Sequence, residues 1–252
     1  MCGRASIDKE KIPKQHRFAA KLEGVAFEKN FDARPSQQLP IILPNVERAV
    51  LATWASPEKE PDGKPTLPFN VKQENLLDIA RFRALLPQNR CIIPVDGFFE
   101  WKELEELEPE PLVPEEGGAV DMFGNPIWSQ AEKKRLKKSK PEKQKYRFTL
   151  KTKEPFALAG LWRESLNPNT GELTKYFSII TTMANSAVIP YHNRMPVILT
   201  PETEEIWLNS ELPERQLLQV LTPYESKLMV IKPIDDYEST LGNYIAPKLN
   251  SK

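Results

Sequence analysis

Short apolar runs punctuated by proline, asparagine and glycine dominate the pattern along the chain. Leu39 to Leu43 and Ala49 to Trp54 are two such runs, bounded by Pro and Asn, and read as paired strands. Cys91 to Trp101 is the densest apolar stretch, predicting a buried strand with a bend at Asp96-Gly97. Tyr146 to Leu150, Phe156 to Trp162 and Tyr176 to Thr182 are further strand candidates. Helical spacing is clearest at Leu76, Leu77, Ile79, Ala80, Phe82, Leu85 and Leu86, which predicts a helix from Asn75 to Leu86 closed by Pro87. Residues 6–30 are weakly helical around Phe18, Ala19, Ala20 and Leu22, with Pro13 interrupting and His16 expected on the surface. Thr200-Pro201-Glu202 combines a capping hydroxyl, a first-turn proline and an acid against the helix dipole, so a helix starts there. The proline-rich stretch 56–68 reads as a loop. No strand–helix–strand rhythm is present. The expected fold is α+β: an antiparallel, barrel-like β core with a few flanking helices, in a single domain.

Composition narrows the function. The chain has 252 residues, of which 40% are hydrophobic, enough for a sizeable core. Its 24 prolines against 10 glycines favour short strands and fixed turns. Lys plus Arg and Asp plus Glu both number 35, which excludes a polycation but leaves room for local basic patches. No apolar run approaches the roughly 18 residues of a membrane span, and the N-terminus lacks the form of a secretory signal. Two cysteines and two histidines make neither a disulfide framework nor a convenient metal site. No metal or organic cofactor is expected, and the expected setting is a reducing cytoplasm.

Charge segregates sharply in residues 103–145. Glu103 to Asp121 holds eight acids and no base, whereas Lys133 to Arg147 holds nine bases and one acid. Such a segment reads as a solvated surface insertion, with a short helix around Lys133 to Lys138. A phosphate-attracting arm and a protein-binding element are its alternatives.

The most informative residue is Cys2. Cysteine is small enough for Met1 to be removed, which would leave a free α-amine (pKa about 7.7–8) beside a thiol of pKa about 8.5. A 1,2-aminothiol condenses with an aldehyde to an imine, and its sulfur then closes a thiazolidine ring. The plain alternative is a small residue at a frayed end. An N-terminal nucleophile for amide hydrolysis is another.

Four segments change that balance: Met1-Cys-Gly-Arg4, Arg90-Cys-Ile-Ile-Pro-Val-Asp-Gly-Phe-Phe-Glu-Trp101, the segment ending Ala159-Gly-Leu-Trp162, and Tyr191-His-Asn-Arg-Met-Pro-Val-Ile-Leu199. Together, in this order, they resemble the SOS-response-associated peptidase (SRAP) family, whose members crosslink to abasic sites in single-stranded DNA. The resemblance spans residues 2–235, with the charged insertion as its main gap and 236–252 as a C-terminal tail. It implies Cys2 as the crosslinking residue, with Glu100, His192 and Asn70 as its catalytic companions. Asn70 comes from Asn70-Val-Lys-Gln-Glu74, where Lys72 replaces the family's arginine and loses its bidentate fork. Asp32-Ala-Arg-Pro-Ser-Gln37 puts a carboxylate where the family has an amide. Trp54-Ala-Ser-Pro lacks the second tryptophan of the family's stretch, implying weaker base stacking there.

The residue types suit the chemistry independently. An abasic deoxyribose is mostly a closed hemiacetal, and His192 can shuttle the proton that opens it near neutral pH. Glu100, flanked by Phe98, Phe99 and Trp101, is expected to have a raised pKa and to protonate departing hydroxyl. Asn70 can hold the sugar or the amine by an uncharged hydrogen bond. Arg4, Lys72, Arg83 and Arg194 are the expected phosphate contacts, and Pro35 a wedge against a base. Cys91, leading an apolar strand, reads as a small core residue. The implied partner is single-stranded DNA with abasic sites, bound by a monomer that is cytoplasmic, or nucleoid-associated when on DNA. Lyase activity and self-removal of Met1 belong to the same expectation. Two rival readings are a cysteine peptidase using Cys2, His192 and Glu100, and a protein-binding module using the charged insertion.

Overall fold

The computed structural model describes residues 3–104, 121–123, 143–168 and 170–234. Among them, one sheet contains β1 (Ala5–Ile7), β2 (Asn30–Ala33), β7 (Gly97–Glu103), β8 (Lys143–Leu150) and β13 (Met229–Ile234), in the order β13-β8-β7-β1-β2. All its pairings are antiparallel. The second sheet grows on two long strands, β9 (Phe156–Leu166) and β10 (Leu173–Met183). β6 (Arg90–Val95) pairs with β9, while β10 runs parallel to β4 (Val50–Trp54), which pairs with β3 (Gln38–Ile41). Just past β3, Ile42 exchanges two 2.9 Å backbone hydrogen bonds with Ile92 of β6, so this sheet nearly closes on itself. Three short strands complete it: β5 (Asn70–Lys72) parallel to β10, β11 (Arg194–Pro196) beside β10, and β12 (Ile198–Leu199) beside β9. The fold is α+β, antiparallel-rich and barrel-like, in a single domain. Among the described residues, parallel pairing is limited to the contacts of β10 with β4 and β5.

Local sequence accounts for the strand junctions. The bend at Asp96-Gly97 separates β6 from β7 and carries the chain from one sheet to the other. Gly160 lies on β9 between its neighbours β6 and β10: a Cβ there would come within 2.5 Å of Ile93 Cδ1 and 2.8 Å of the Ser178 carbonyl. Any larger residue would push the barrel strands apart. Arg34 to Gln37 forms a turn with Pro35 second and Ser36 at φ +77°. The charged insertion leaves and re-enters at a single hairpin, because Glu103 at the end of β7 is paired with Lys143 at the start of β8. Most of the insertion, including Lys133 to Lys138, lies outside the described residues.

One helix expectation is corrected and another is narrowed to its expected centre. The continuous helix from Asn75 to Leu86 is two short ones, α2 (Asn75–Asp78) and α3 (Ala80–Leu85), broken at Ile79 with ψ 113°. At 100° per residue, Leu76 and Phe82 would point about 120° apart on one helix; the break lets both be buried. The region 6–30 yields only a 3₁₀ turn (Lys9–Lys11) and α1 (Ala19–Leu22), because residues 5–7 join the sheet as β1. His16 is not on the surface. It is buried edge-on against Phe18, and its Nδ1 accepts the Phe18 N–H at 3.2 Å. The adjacent Arg17 pins this segment to Glu204 of α4 (Pro201–Leu208). Burial lowers the His16 pKa.

α4 starts as its sequence predicts: Thr200 and Thr203 cap each other reciprocally. Its buried Trp207 donates to the Cys91 carbonyl at 3.0 Å. Cys91 itself is fully buried, which drives its thiol pKa well up and leaves it an inert core residue.

Candidate active site

Cys2 lies outside the described residues, but the strand it leads into is well defined. β1 runs between β7 and β2, and the Phe99 N–H donates to the Arg4 carbonyl at 3.1 Å. Arg4 is thereby held beside Phe99.

β7 alternates its side chains between two environments. Phe98 and Glu100 share one face with their cross-strand partners on β8, Phe148 and Tyr146. Phe98 stacks on Phe148 at 4.8 Å, and Tyr191 packs edge-on against both Tyr146 (4.6 Å) and Phe148 (5.2 Å). This aromatic group connects the strand of Glu100 to the loop of His192. It also keeps Glu100 only 5% exposed. Burial raises the Glu100 pKa to about 7, against the opposing positive charge of the chain's amino terminus. Near neutral pH, Glu100 is therefore populated both as acid and as carboxylate.

The loop carrying His192 is held by its own hydrogen bonds. Asn185 Oδ1 accepts the N–H groups of Ala187 and Val188, and its Nδ2 donates to the Tyr224 carbonyl. His192 Nδ1 accepts the Arg194 N–H at 2.9 Å. A donor can face that nitrogen only while it keeps its lone pair, so the neutral ring carries its proton on Nε2. The His192 pKa is lowered, by burial first and then by the amino-terminal charge. The site thus pairs a carboxyl able to hold a proton with a neutral imidazole.

Arg194 ties this loop to the strand of Asn70. Its guanidinium reaches both carboxylate oxygens of Glu74 (2.8 and 2.9 Å) and the Thr181 carbonyl (2.7 Å). That hydrogen bonding lowers the Glu74 pKa. Asn70 opens β5 opposite Ile179 and is buried. Tyr146–Tyr191 links the strand of Glu100 to the loop of His192, and Arg194–Glu74 links that loop to the segment that follows Asn70.

The other face of β7 is basic. Asp32, only 6% exposed, takes Arg4, Arg34 (Nε at 2.8 Å) and Lys145 (2.8 Å). Lys145 also lies 4.2 Å from the Phe99 ring centre, and Arg4 5.7 Å from that of Trp101. The carboxylate at position 32 thus gathers three cations on this face. Burial lowers the Lys145 pKa, and its contact with Asp32 counteracts this.

The residues expected to touch DNA occupy different settings. Lys72 and Arg83 are exposed and Pro35 is half-buried at its turn. Lys72 lines a cavity of about 590 Å³ with Asn70, Lys64, Asn75, Asp78 and Arg81. Arg81 faces that cavity and Arg83 does not, a distinction created by the short α3. Arg194 is buried and turned onto Glu74, a clamp rather than an outward-facing group. Trp54 is fully buried, donates to the Phe69 carbonyl at 2.7 Å and stacks on Phe177, so it offers no surface to a base.

Sequence reasoning did not single out Glu74, Arg81, Tyr146, Lys145 or Tyr191. Glu74 and Tyr191 stood inside quoted motifs, and their position there was the available signal. Lys145 and Tyr146 lay within a run read as charged insertion and strand, and nothing local marks them.

No helix among the described residues is long and apolar enough to cross a membrane. In architecture the chain is similar to solved proteins of Bordetella bronchiseptica (TM-score 0.63, 20% identity, covering 93% of this chain and 100% of that one) and Bacteroides thetaiotaomicron (TM-score 0.61, 23% identity, 82% and 78%). In sequence it is 30% identical to the abasic site processing protein YoqW of Bacillus subtilis, over 100% of this chain and 97% of that protein. It is 24% identical to the abasic site processing protein HMCES of Gallus gallus, over 80% of this chain and 55% of that protein. The family model described as SOS response associated peptidase (SRAP) matches residues 1–136 and 128–237, nearly the whole described fold, and the chain belongs to that family.

Proposed function

We propose that this protein processes abasic sites in single-stranded DNA by trapping the open-chain aldehyde on Cys2. The observation that carries the reading is the buried Glu100, with its pKa near 7, one residue from where β7 holds Arg4. Two peptide units separate Arg4 from Cys2, so an N-terminal aminothiol has only about 7 Å of chain between it and that fixed point. The names of the relatives, abasic site processing proteins, support the same substrate.

The steps balance without a cofactor. Removal of Met1 exposes the Cys2 α-amine. His192 moves the proton that opens the hemiacetal to the aldehyde. The amine adds to the carbonyl carbon, Glu100 protonates the departing hydroxyl, and water leaves as the imine forms. The Cys2 sulfur then adds to the imine carbon while the nitrogen takes up a proton, closing a thiazolidine. Asn70 holds the sugar or the amine. Residues 2–235 act as one unit, with 103–145 as its surface insertion.

Intact mass establishes whether Met1 is absent, and a single-turnover crosslinking time course on an abasic single strand tests the chemistry. The native protein is expected to give a heat-stable adduct without reductant. Cys2→Ser should give only an imine that heat destroys unless borohydride traps it. His192→Ala should slow formation by about 10²-fold while leaving the final adduct heat-stable. Equal heat-stable yields from native protein and Cys2→Ser would overturn the thiazolidine.

A further inference from the structure

A second concentration of positive charge lies on the side of the five-stranded sheet away from Glu100. Arg147 is the cross-strand partner of Phe99, whereas Tyr146 is that of Glu100, so the two side chains leave β8 on opposite faces. Arg147 lines a cavity of about 310 Å³ with Lys11, Lys151, Lys153 and Lys232, and Asp96 is the one acid on its wall. Asp96 is taken up by Arg147 (2.8 Å) and by Ser6, and Lys11 reaches Asp8 at 3.9 Å, so the excess of positive charge on this wall lies with Lys151, Lys153 and Lys232. In a chain of zero net charge this is a pronounced local imbalance.

The lysines sit on a firm frame. Lys232 is paired with Arg147 across β8 and β13. The turn after β8 is pinned by hydrogen bonds from Lys151 N–H to the Leu228 carbonyl and from Lys153 N–H to the Leu150 carbonyl. Lys153 has φ +60°, a conformation that favours glycine, yet the position carries a charged side chain. The same face continues through Lys145, two residues before Arg147, to Arg34 and Arg4 around Asp32. From Lys145 to Lys151 is about 20 Å of strand. Basic groups therefore follow one sheet face from the start of β1 to the cavity, with Trp101 and Phe99 among them. Interleaved cations and rings suit a single-stranded phosphodiester chain.

We propose that the cavity bounded by Lys11, Lys151, Lys153 and Lys232 is a second phosphate-binding site, gripping the same strand several nucleotides from the aldehyde. This rests on the abasic-DNA reading for its ligand. The recognised chemistry is a phosphate oxyanion; a free phosphate ion is the competing source.

The test is noncovalent binding of undamaged single strands, one of about 20 nucleotides and one of about 5, across a salt series. The variant Lys151→Gln/Lys153→Gln/Lys232→Gln changes only exposed side chains, and its thermal melt confirms folding. Loss of three phosphate contacts should flatten the log K against log salt slope by about 2 on the long strand. The short strand should be unaffected, and the corresponding triple Lys→Arg variant should keep the native slope. An unchanged slope in the glutamine variant overturns the proposal. So does inorganic phosphate that stabilises the native protein but not the variant while both give one DNA slope. Failure to form an adduct alongside the expected slope change would refute the Cys2 chemistry and leave this site standing. An adduct with no slope change would do the reverse.

Discussion

Phe99 and Glu100 are neighbours on one strand, and their side chains enter opposite kinds of medium. On the Glu100 face, aromatic rings surround one carboxyl and burial drives it toward its neutral form. On the Phe99 face, a carboxylate is just as buried, but Asp32 is surrounded by Arg4, Arg34 and Lys145. Both acids are about 5% exposed, so exposure does not separate them. The balance of burial and charge does: three side-chain cations hold Asp32, whereas at Glu100 burial outweighs the amino-terminal charge. An acid among cations is a structural anchor, while an acid among rings keeps a proton within reach of neutral pH and is available for chemistry.

Removing Asp32 tests the anchor. Asp32→Ala leaves three cations facing each other without their carboxylate and should cost about 3–4 kcal/mol, near the low end for a broken buried pair because Arg34 is half exposed. Urea unfolding at pH 7 measures it. The Glu100 titration should stay where it is; a shift would mean that the two faces are coupled through the strand.

Glu100→Gln tests the other face through pH. A carboxyl raised from 4.5 to about 7 in the folded state disfavours the native form once it must ionise. Its contribution is therefore fully present below pH 4.5 and is lost as pH rises through 7. The native protein should lose about 3 kcal/mol relative to Glu100→Gln between pH 4.5 and 8, read from urea midpoints. Parallel pH profiles would place Glu100 in a wetter site than its neighbours imply.

The smallest effect is expected at the ring that separates Glu100 from the His192 loop. Tyr146→Leu removes the edge-on contact with Tyr191 and should cost about 1 kcal/mol. It should also admit water to Glu100 and bring its pKa down toward 4.5. A carbon-detected NMR titration of the carboxyl reports this directly, and an unmoved pKa would mean that Phe98 and Phe148 alone keep the site dry.

The strands were readable because period-two alternation and proline or glycine boundaries act locally. The bend at Asp96-Gly97, the β3–β4 pair and the Thr200 cap all follow from residues within a few positions. The α2–α3 break was not readable, since the period predicted one helix and only the surface receiving Leu76 and Phe82 required two. His16 was misplaced for a similar reason: its segment is tied down through Arg17 by Glu204, 187 residues away.

For the candidate site, residue chemistry and motif order named Glu100, His192, Asn70 and Cys2, because reactivity belongs to side-chain type and motifs are linear. The raised Glu100 pKa was foreseeable in direction from the aromatics on either side of it. Which arginine faces outward was not. Arg194 and Arg83 look equally cationic along the chain, yet Arg194 is spent on Glu74, 120 residues upstream, and Arg83 stands in solvent. Linear sequence carries a residue's charge, its reach and its alternation. Partners and local dielectric are set only when distant strands pack, because both depend on what fills the few ångströms around a group and not on what adjoins it in the chain.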